Sequence, residues 1–447
     1  MGIQRTTATA TVAPADGLVA GVAGTSRVPS RALPRASWGA RLSTLTFIVA
    51  VVVFFFLSGA SGLIYQVAWV RILSLIFGIT VHAVSTVLAG FMAGLALGSV
   101  LAGRIAPRLR HPLRAYGVVE CAIGATGVLT PWAFGWLRDV YPAINSSVET
   151  QAVAWSGSAL LGGLAFWLPG IVRFAVAFGI MLVPTTLMGA TLPIMLKSSL
   201  IQGQSLGRSV SLLYAINTFG AIAGTVGAGF YLIAGYGIQA SILTAAVLNV
   251  AVGTASLLLS FVVGKAVVGR TVDETSSLGT DRGMAPRVVV PGRASLPLAR
   301  QRRPWPWPGR TAVVSLAFGV SGLCALGYEV IWFRLLSLFA FDNSTYAFTV
   351  MLSTVLFGIA AGSYVIIPLM GRLARRINWW LVFAGLEWGI GILAILSITV
   401  LSNIDVVVAR LTATWPGLAT LTKSDDGWML VAAGAAIVPP MFLSGMT

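Results

Sequence analysis

Charged residues are the scarcest feature of this sequence. Only 9% of its 447 residues are Asp, Glu, Lys or Arg, whereas a soluble domain carries about 25%. Because 57% of the residues are hydrophobic, the chain cannot cover a water-facing surface, which excludes soluble enzymes and disordered proteins. Cysteine is nearly missing too: Cys121 and Cys324 both lie inside apolar runs, which excludes a disulfide-rich fold.

Histidine is equally rare, with two residues in the whole chain. Neither His82 nor His111 has a second histidine or a Cys/Asp cluster at ligand spacing, so we predict no metal site. No arrangement of a nucleophile and a base points to catalysis either. The sequence therefore predicts no catalytic residue.

Long apolar runs dominate instead. A membrane-spanning helix needs about 20 apolar residues, and 50 glycines and 14 tryptophans are typical of helical membrane proteins, in which small residues let helices approach and indoles lie at the interfaces. The sequence predicts an all-α polytopic membrane protein of about ten spans. We expect these spans at 45–66, 81–103, 115–137, 171–196, 209–234, 238–263, 311–331, 345–367, 379–401 and 428–447.

The net charge of +16 indicates orientation rather than nucleic-acid binding. If the N-terminus is cytoplasmic, most of the 29 basic residues fall in inner segments, and only Arg138, Arg410 and Lys423 fall in outer loops. The positive-inside rule predicts this asymmetry. No basic, aromatic-interleaved soluble domain is present to bind nucleic acid, so the expected partner is the lipid bilayer.

Composition divides the chain into four parts. Residues 1–44 predict a disordered cytoplasmic tail, and residues 45–263 a first repeat of six helices. Residues 264–309 are basic and proline-rich and cannot bury enough apolar surface to fold, so we expect a disordered cytoplasmic linker. Residues 310–447 predict a second membrane repeat that ends after about four helices.

The two membrane parts repeat the same motifs in the same order. The unit Tyr65–Arg71 recurs as Tyr328–Arg334. Further matches are Gly94, Gly98 and Ser99 with Gly358, Gly362 and Ser363; Glu120 and Gly124 with Glu387 and Gly391; and the run 184–191 with the run 440–447. Six spans return the chain to the same side, so the repeats are predicted to be parallel, as in the two halves of a major-facilitator transporter. Because Thr447 falls inside a predicted span, we expect a longer parent protein with a complete second repeat.

Four motifs carry a family resemblance. They are Ser58-Gly59-x-x-Gly62-Leu63-x-Tyr65-Gln66-x-x-Trp69-x-Arg71, the run 91–99, the run 187–193, and Tyr214-Ala215-x-Asn217-Thr218-x-Gly220-Ala221. In this order they resemble the membrane region of bacterial fused transporter/spermidine-synthase proteins. The resemblance implies a multi-pass protein of the bacterial inner membrane.

The same resemblance implies a soluble aminopropyltransferase domain, which would transfer an aminopropyl group from decarboxylated S-adenosylmethionine to putrescine. These 447 residues contain no Gly-rich nucleoside-binding loop after a strand. No aminopropyl transfer can therefore be assigned to the residues present, and decarboxylated S-adenosylmethionine would belong to the missing domain. Whether the protein is an enzyme stays open at this point.

Two acidic residues are candidates for substrate binding. Glu120 and Glu387 each lie inside a span entered from the cytoplasm, about 10–12 Å deep at 1.5 Å per residue. A charge near mid-membrane costs at least about 2.5 kcal/mol, so each must face a cavity or a partner. One hypothesis is that the two glutamates and Asn217 line a cytoplasm-facing cavity for a cationic amine. The alternative is structural, and pairs each glutamate with an inner-loop arginine: Arg104 or Arg108, and Arg372 or Arg375.

A second group of candidates would form a gate or an interface. Arg71 and Arg334 follow Trp69 and Trp332 at the outer ends of their spans, where they either snorkel to the interface or form an outer gate. Their motifs also contain Gln66 and Glu329. The inner-loop residues Arg104 and Arg108 fit a cytoplasmic gate or a purely topogenic role.

The leading functional hypothesis is the membrane region of a spermidine-synthase-like fusion, which handles or presents a polyamine or a similar small cation to a synthase domain. A stand-alone secondary transporter of another substrate and a non-transporting membrane anchor are the alternatives.

Overall fold

The computed structural model describes residues 38–78, 80–155, 159–197, 206–277, 308–339, 344–373 and 378–447. These residues form helices and short turns, with no strand among them. The chain divides into two compact units, 1–48 and 49–447, and the contacts below all lie in the second unit. Most of the predicted tail and of the predicted linker lies outside the described residues.

Twelve α-helices follow one another in the described part of the chain. They are α1 Trp38–Phe77, α2 Thr80–Ile105, α3 Pro112–Trp155, α4 Ala159–Leu196, α5 Leu206–Val226, α6 Ile233–Ser277, α7 Pro308–Phe339, α8 Ser344–Leu373, α9 Trp379–Ser402, α10 Ile404–Thr414, α11 Pro416–Leu421 and α12 Asp425–Met446. A 3₁₀ turn, Ala106–Arg108, follows α2, and a π-helical segment, Gly227–Leu232, joins α5 to α6. Helix α6 runs past the expected start of the linker at 264, because no proline lies between residue 264 and Pro286 to end the helix.

Within the described residues, nine helical ranges are long and apolar enough to cross a membrane. The prediction of an all-helical, multi-pass membrane protein is thus confirmed at this level. The number is nine rather than ten because one range, Leu212–Phe261, is 50 residues long and contains two of the predicted spans.

This long range reverses direction at Gly237, whose φ is +83°, a conformation that favours glycine. Gly59 packs directly against Asn217. Glu120 accepts one hydrogen bond from Asn249 and another from Ser58, the residue before Gly59. Both asparagines therefore lie at one level of the bundle, although a continuous helix would separate them by about 48 Å. Helices α5 and α6 consequently run in opposite directions.

Close glycine contacts join α2 to α4. A Cβ atom on Gly98 would overlap the carbonyl oxygen of Thr186, and one on Gly189 would overlap the carbonyl oxygen of Leu95. Ser99 Oγ donates a hydrogen bond of 3.1 Å to the Gly189 carbonyl. Small residues at a helix interface allow this approach in a membrane, where packing replaces the hydrophobic effect as the force between helices.

The corresponding residues of the second repeat make the same contacts between α8 and α12. A Cβ atom on Gly362 would overlap the carbonyl oxygen of Phe442, and one on Gly445 would overlap that of Ile359. Ser363 Oγ donates a hydrogen bond of 2.9 Å to the Gly445 carbonyl. The sequence matches therefore correspond to matching three-dimensional contacts in these two helix pairs.

Candidate functional site

A cavity of about 340 Å³ lies between helices of the two sequence repeats. Helices α1, α2, α4 and α5 contribute from the first repeat, and α7 and α8 from the second. Most of its wall is apolar, with Phe91, Met92 and Leu95 on α2 and Leu352, Val355 and Leu356 on α8. Hydroxyl groups of Ser58, Ser99 and Thr191 also reach the wall.

One carboxylate stands in this wall. Among the described residues that line it, Glu329 on α7 is the only acidic side chain, and none is Lys or Arg. Its side chain is 7% exposed, and its Oε2 atom has no hydrogen-bond partner. Gln66 on α1 lines the same cavity, is 1% exposed, and has an Nε2 atom without a partner. Buried polar groups are seldom left unpaired, so both side chains are candidates for contact with a polar ligand.

Contacts of the neighbouring residues Tyr65 and Trp69 position Gln66. The indole of Trp69 donates a hydrogen bond of 2.9 Å to Thr130 Oγ1 on α3, and the ring of Tyr65 stacks on that of Trp69 at 5.5 Å. Tyr65 and Trp69 are four residues apart and share one helix face. Because successive residues turn by about 100° around a helix, Gln66 leaves that face and reaches the cavity.

Contacts of the same kind, made by Tyr328 and Trp332, position Glu329. The indole of Trp332 donates a hydrogen bond of 2.7 Å to Ser397 Oγ on α9, and the ring of Tyr328 stacks on that of Trp332 at 5.6 Å. Glu329 follows Tyr328 just as Gln66 follows Tyr65. Equivalent positions of the two sequence motifs therefore meet at one cavity.

Glu120 lies outside the cavity wall, fully buried on α3. Its carboxylate accepts hydrogen bonds of 2.7 Å from Ser58 Oγ on α1 and 2.7 Å from Asn249 Nδ2 on α6. Ser58 also lines the cavity, so it connects the buried carboxylate with the wall. These partners are neutral side chains, and Arg104 and Arg108 are exposed.

Glu387 repeats half of this arrangement. It is half-buried on α9 and accepts a hydrogen bond of 2.7 Å from Ser321 Oγ on α7, which matches the bond between Ser58 and Glu120. Glu387 is not among the residues that line the cavity. Asn217 does line it, with its Nδ2 atom donating a hydrogen bond of 3.2 Å to the Phe55 carbonyl.

The structure thus brings Asn217, Gln66 and Glu329 to one cavity and keeps Glu120 and Glu387 in helix–helix contacts beside it. Substrate binding by the two glutamates stays a prediction. Of the other candidates, Arg71 is half-buried and Arg334 is exposed. The side chain of Arg372 and all of Arg375 lie outside the described residues.

Sequence reasoning missed the hydrogen-bond partners of Glu120. Asn249 gives no signal, because it stands alone in an apolar run. Ser58 does give one, since Ser321 occupies the same motif position in the second repeat. The described residues contain no cluster of three His, Cys, Asp or Glu side chains that could hold a metal ion.

Comparison with known proteins finds partial relatives. The chain is 29% identical to polyamine aminopropyltransferase 2 of Streptomyces coelicolor over 210 residues, which are 45% of this chain and 32% of that protein. It is 26% identical to polyamine aminopropyltransferase of Mycobacterium tuberculosis over 205 residues, 45% of this chain and 34% of that protein. The match thus spans about a third of the length of each relative. No family model and no solved structure matches the chain.

These similarities confirm part of the expected resemblance. The chain has weak similarity to polyamine aminopropyltransferases over less than half of its length, together with apolar helices that could cross a membrane.

Proposed function

We propose that this chain is a membrane region that binds a small organic cation of the polyamine class in the cavity between its two repeats. It would move this cation across the bilayer or present it to an aminopropyltransferase domain. The observation that carries the proposal is the buried Glu329 carboxylate, whose Oε2 atom lacks a partner in a cavity with no lining Lys or Arg. The similarity to polyamine aminopropyltransferases supplies the substrate class.

Charge and wall chemistry both favour an alkyl amine. A carboxylate away from water in a membrane helix costs at least about 2.5 kcal/mol, and a bound ammonium group would offset that cost. The apolar side chains of α2 and α8 suit the methylene chain between the ammonium groups of a polyamine. An anion would find no positive charge among the described residues of this wall.

The repeated contacts support two parallel repeats, as in a major-facilitator transporter. The Ser58–Glu120 bond recurs as Ser321–Glu387, and the glycine contacts of α2 and α4 recur in α8 and α12. In this proposal the repeats are 45–263 and 310–447, and the linker 264–309 joins them.

Basic residues suggest the direction in which the cavity opens. Ser99 in the wall precedes Arg104 by five residues, and Thr191 precedes Lys197 by six. With the N-terminal tail and the linker cytoplasmic in a bacterial inner membrane, as the positive-inside rule favours, the cavity would be reached from the cytoplasm. A cytoplasmic synthase domain, with its decarboxylated S-adenosylmethionine, could then exchange the amine with it.

Binding and uptake of radiolabelled putrescine test the proposal. The full chain is purified for equilibrium binding in detergent and reconstituted into liposomes for uptake. Saturable binding with uptake supports a transporter, and saturable binding without uptake supports presentation. Glu329→Gln should weaken either signal at least about tenfold, whereas Glu387→Gln, which removes a negative charge outside the cavity wall, should preserve it. If the wild-type protein binds neither putrescine nor spermidine, the proposal is wrong and a membrane anchor or an unrelated transporter is favoured.

A further inference from the structure

Two positions of the internal repeat converge on one cavity. Gln66 and Glu329 occupy the same place in the motifs Tyr65–Arg71 and Tyr328–Arg334, and both line the cavity between the repeats. Each follows a tyrosine that stacks on an anchored tryptophan. The backbone therefore presents the two side chains to the cavity by the same local geometry.

Both side chains have an unused hydrogen-bonding atom. Gln66 Nε2 and Glu329 Oε2 are buried and without partners, and buried amide and carboxylate groups left unpaired are costly. A half-turn of the Gln66 amide breaks no hydrogen bond of Nε2 among the described residues and presents the carbonyl oxygen in place of that nitrogen. A ligand that donates N–H groups satisfies the carboxylate and the carbonyl oxygen together.

We infer that Gln66 and Glu329 form a single two-sided recognition site for a primary ammonium group, one side chain from each repeat, and that the acidic residue can occupy either side. This inference rests on the proposed function and names the part of the amine that the cavity recognises. A primary ammonium carries three N–H donors, so it can pair with the carboxylate and the amide oxygen at once. A quaternary ammonium has no N–H donor and cannot use this pair of acceptors.

Relocation of the charge tests the inference. Glu329→Gln should weaken putrescine binding at least about tenfold, because it removes a charge-assisted hydrogen bond. The double variant Gln66→Glu/Glu329→Gln, which returns the carboxylate at the matching position of the other motif, should restore binding to within about threefold of wild type. The single variant Gln66→Leu should weaken binding while leaving the carboxylate in place. Tryptophan fluorescence and gel filtration confirm that each variant is folded.

The outcomes separate the two proposals. Wild-type binding with a folded double variant no better than Glu329→Gln overturns the two-sided site and leaves the proposed function standing. Absence of putrescine binding by the wild type overturns the proposed function itself.

A competition experiment needs only the wild-type protein. Butylamine, which has a primary ammonium and a four-carbon chain, should displace radiolabelled putrescine, whereas tetramethylammonium should not. Equal displacement by both cations would show that charge alone is recognised, and would overturn the inference even if the double variant failed to fold.

Discussion

Glu120 holds three helices of the first repeat together through one carboxylate. Its two oxygens accept hydrogen bonds from Ser58 on α1 and Asn249 on α6, each 2.7 Å long. Glu120→Ala removes the common acceptor and leaves the serine hydroxyl and the asparagine amide without it. The variant should therefore destabilise the packing of α3 against both neighbours.

The expected loss of unfolding free energy in Glu120→Ala follows from the number of hydrogen bonds removed. Side-chain hydrogen bonds between membrane helices contribute about 0.6 kcal/mol each on average and up to about 1.7, so two bonds correspond to about 1–3.5 kcal/mol. Glu120→Gln should cost under about 1 kcal/mol. The new carboxamide keeps an oxygen for Ser58, and its amide can donate to Asn249 Oδ1, which has no partner, once the asparagine amide turns over.

Unfolding of the purified protein in mixed micelles, titrated with sodium dodecyl sulfate, measures both variants against wild type. Glu387→Ala serves as the comparison, because among the described residues Glu387 has one side-chain hydrogen-bond partner, Ser321, and should cost about half as much. Equal stability of Glu120→Ala and Glu120→Gln would refute the argument that these bonds join the helices. A double-mutant cycle with Ser58→Ala then isolates the bond to α1.

Three further variants test the packing and are measured by the same titration. Gly98→Ala should lower the free energy of unfolding by about 1–3 kcal/mol, since its Cβ meets the Thr186 carbonyl. In the control Gly103→Ala, in the same helix, the Cβ meets nothing, and this variant should raise the free energy of unfolding by up to about 1 kcal/mol. Equal effects of the two variants would contradict the close contact at Gly98. Trp332→Phe should lose about 0.6–1.7 kcal/mol with its indole hydrogen bond, and an unchanged midpoint would argue against that anchor. Gly237→Ala should cost about 1–3 kcal/mol because of the positive φ, and a stable variant would argue against the reversal there.

The helices could be predicted from the sequence, because they depend on patterns along the chain. Apolar length predicts where a helix crosses the membrane, and the break expected between 234 and 238 coincides with the reversal at Gly237. Matched motifs predicted matched glycines, and Gly98 and Gly362 do make equivalent close contacts. Orientation and the parallel arrangement of the repeats stay predictions.

The candidate site was harder to predict because depth in the membrane does not fix rotation about the helix axis. The sequence places Glu120 deep in a span, but contacts with Ser58 and Asn249 decide that it faces neighbouring helices. Gln66 and Glu329 face the cavity because the adjacent tyrosine and tryptophan are held elsewhere. The informative signal was the shared motif position, which becomes meaningful once the tryptophan contacts are known.

The difference between Gln66 and Glu329 matters for how a cation could leave the cavity. Two carboxylates facing one another across a water-poor site would repel when empty and would hold a cation strongly when occupied. A carboxylate opposite a neutral amide supplies one charge-assisted hydrogen bond and one neutral bond, which differ in strength by roughly twofold. Passage through a membrane requires binding that is favourable but still reversible. A single acid in a site built from two equivalent positions meets that requirement, and it predicts that Gln66→Glu alone should tighten putrescine binding while slowing its release.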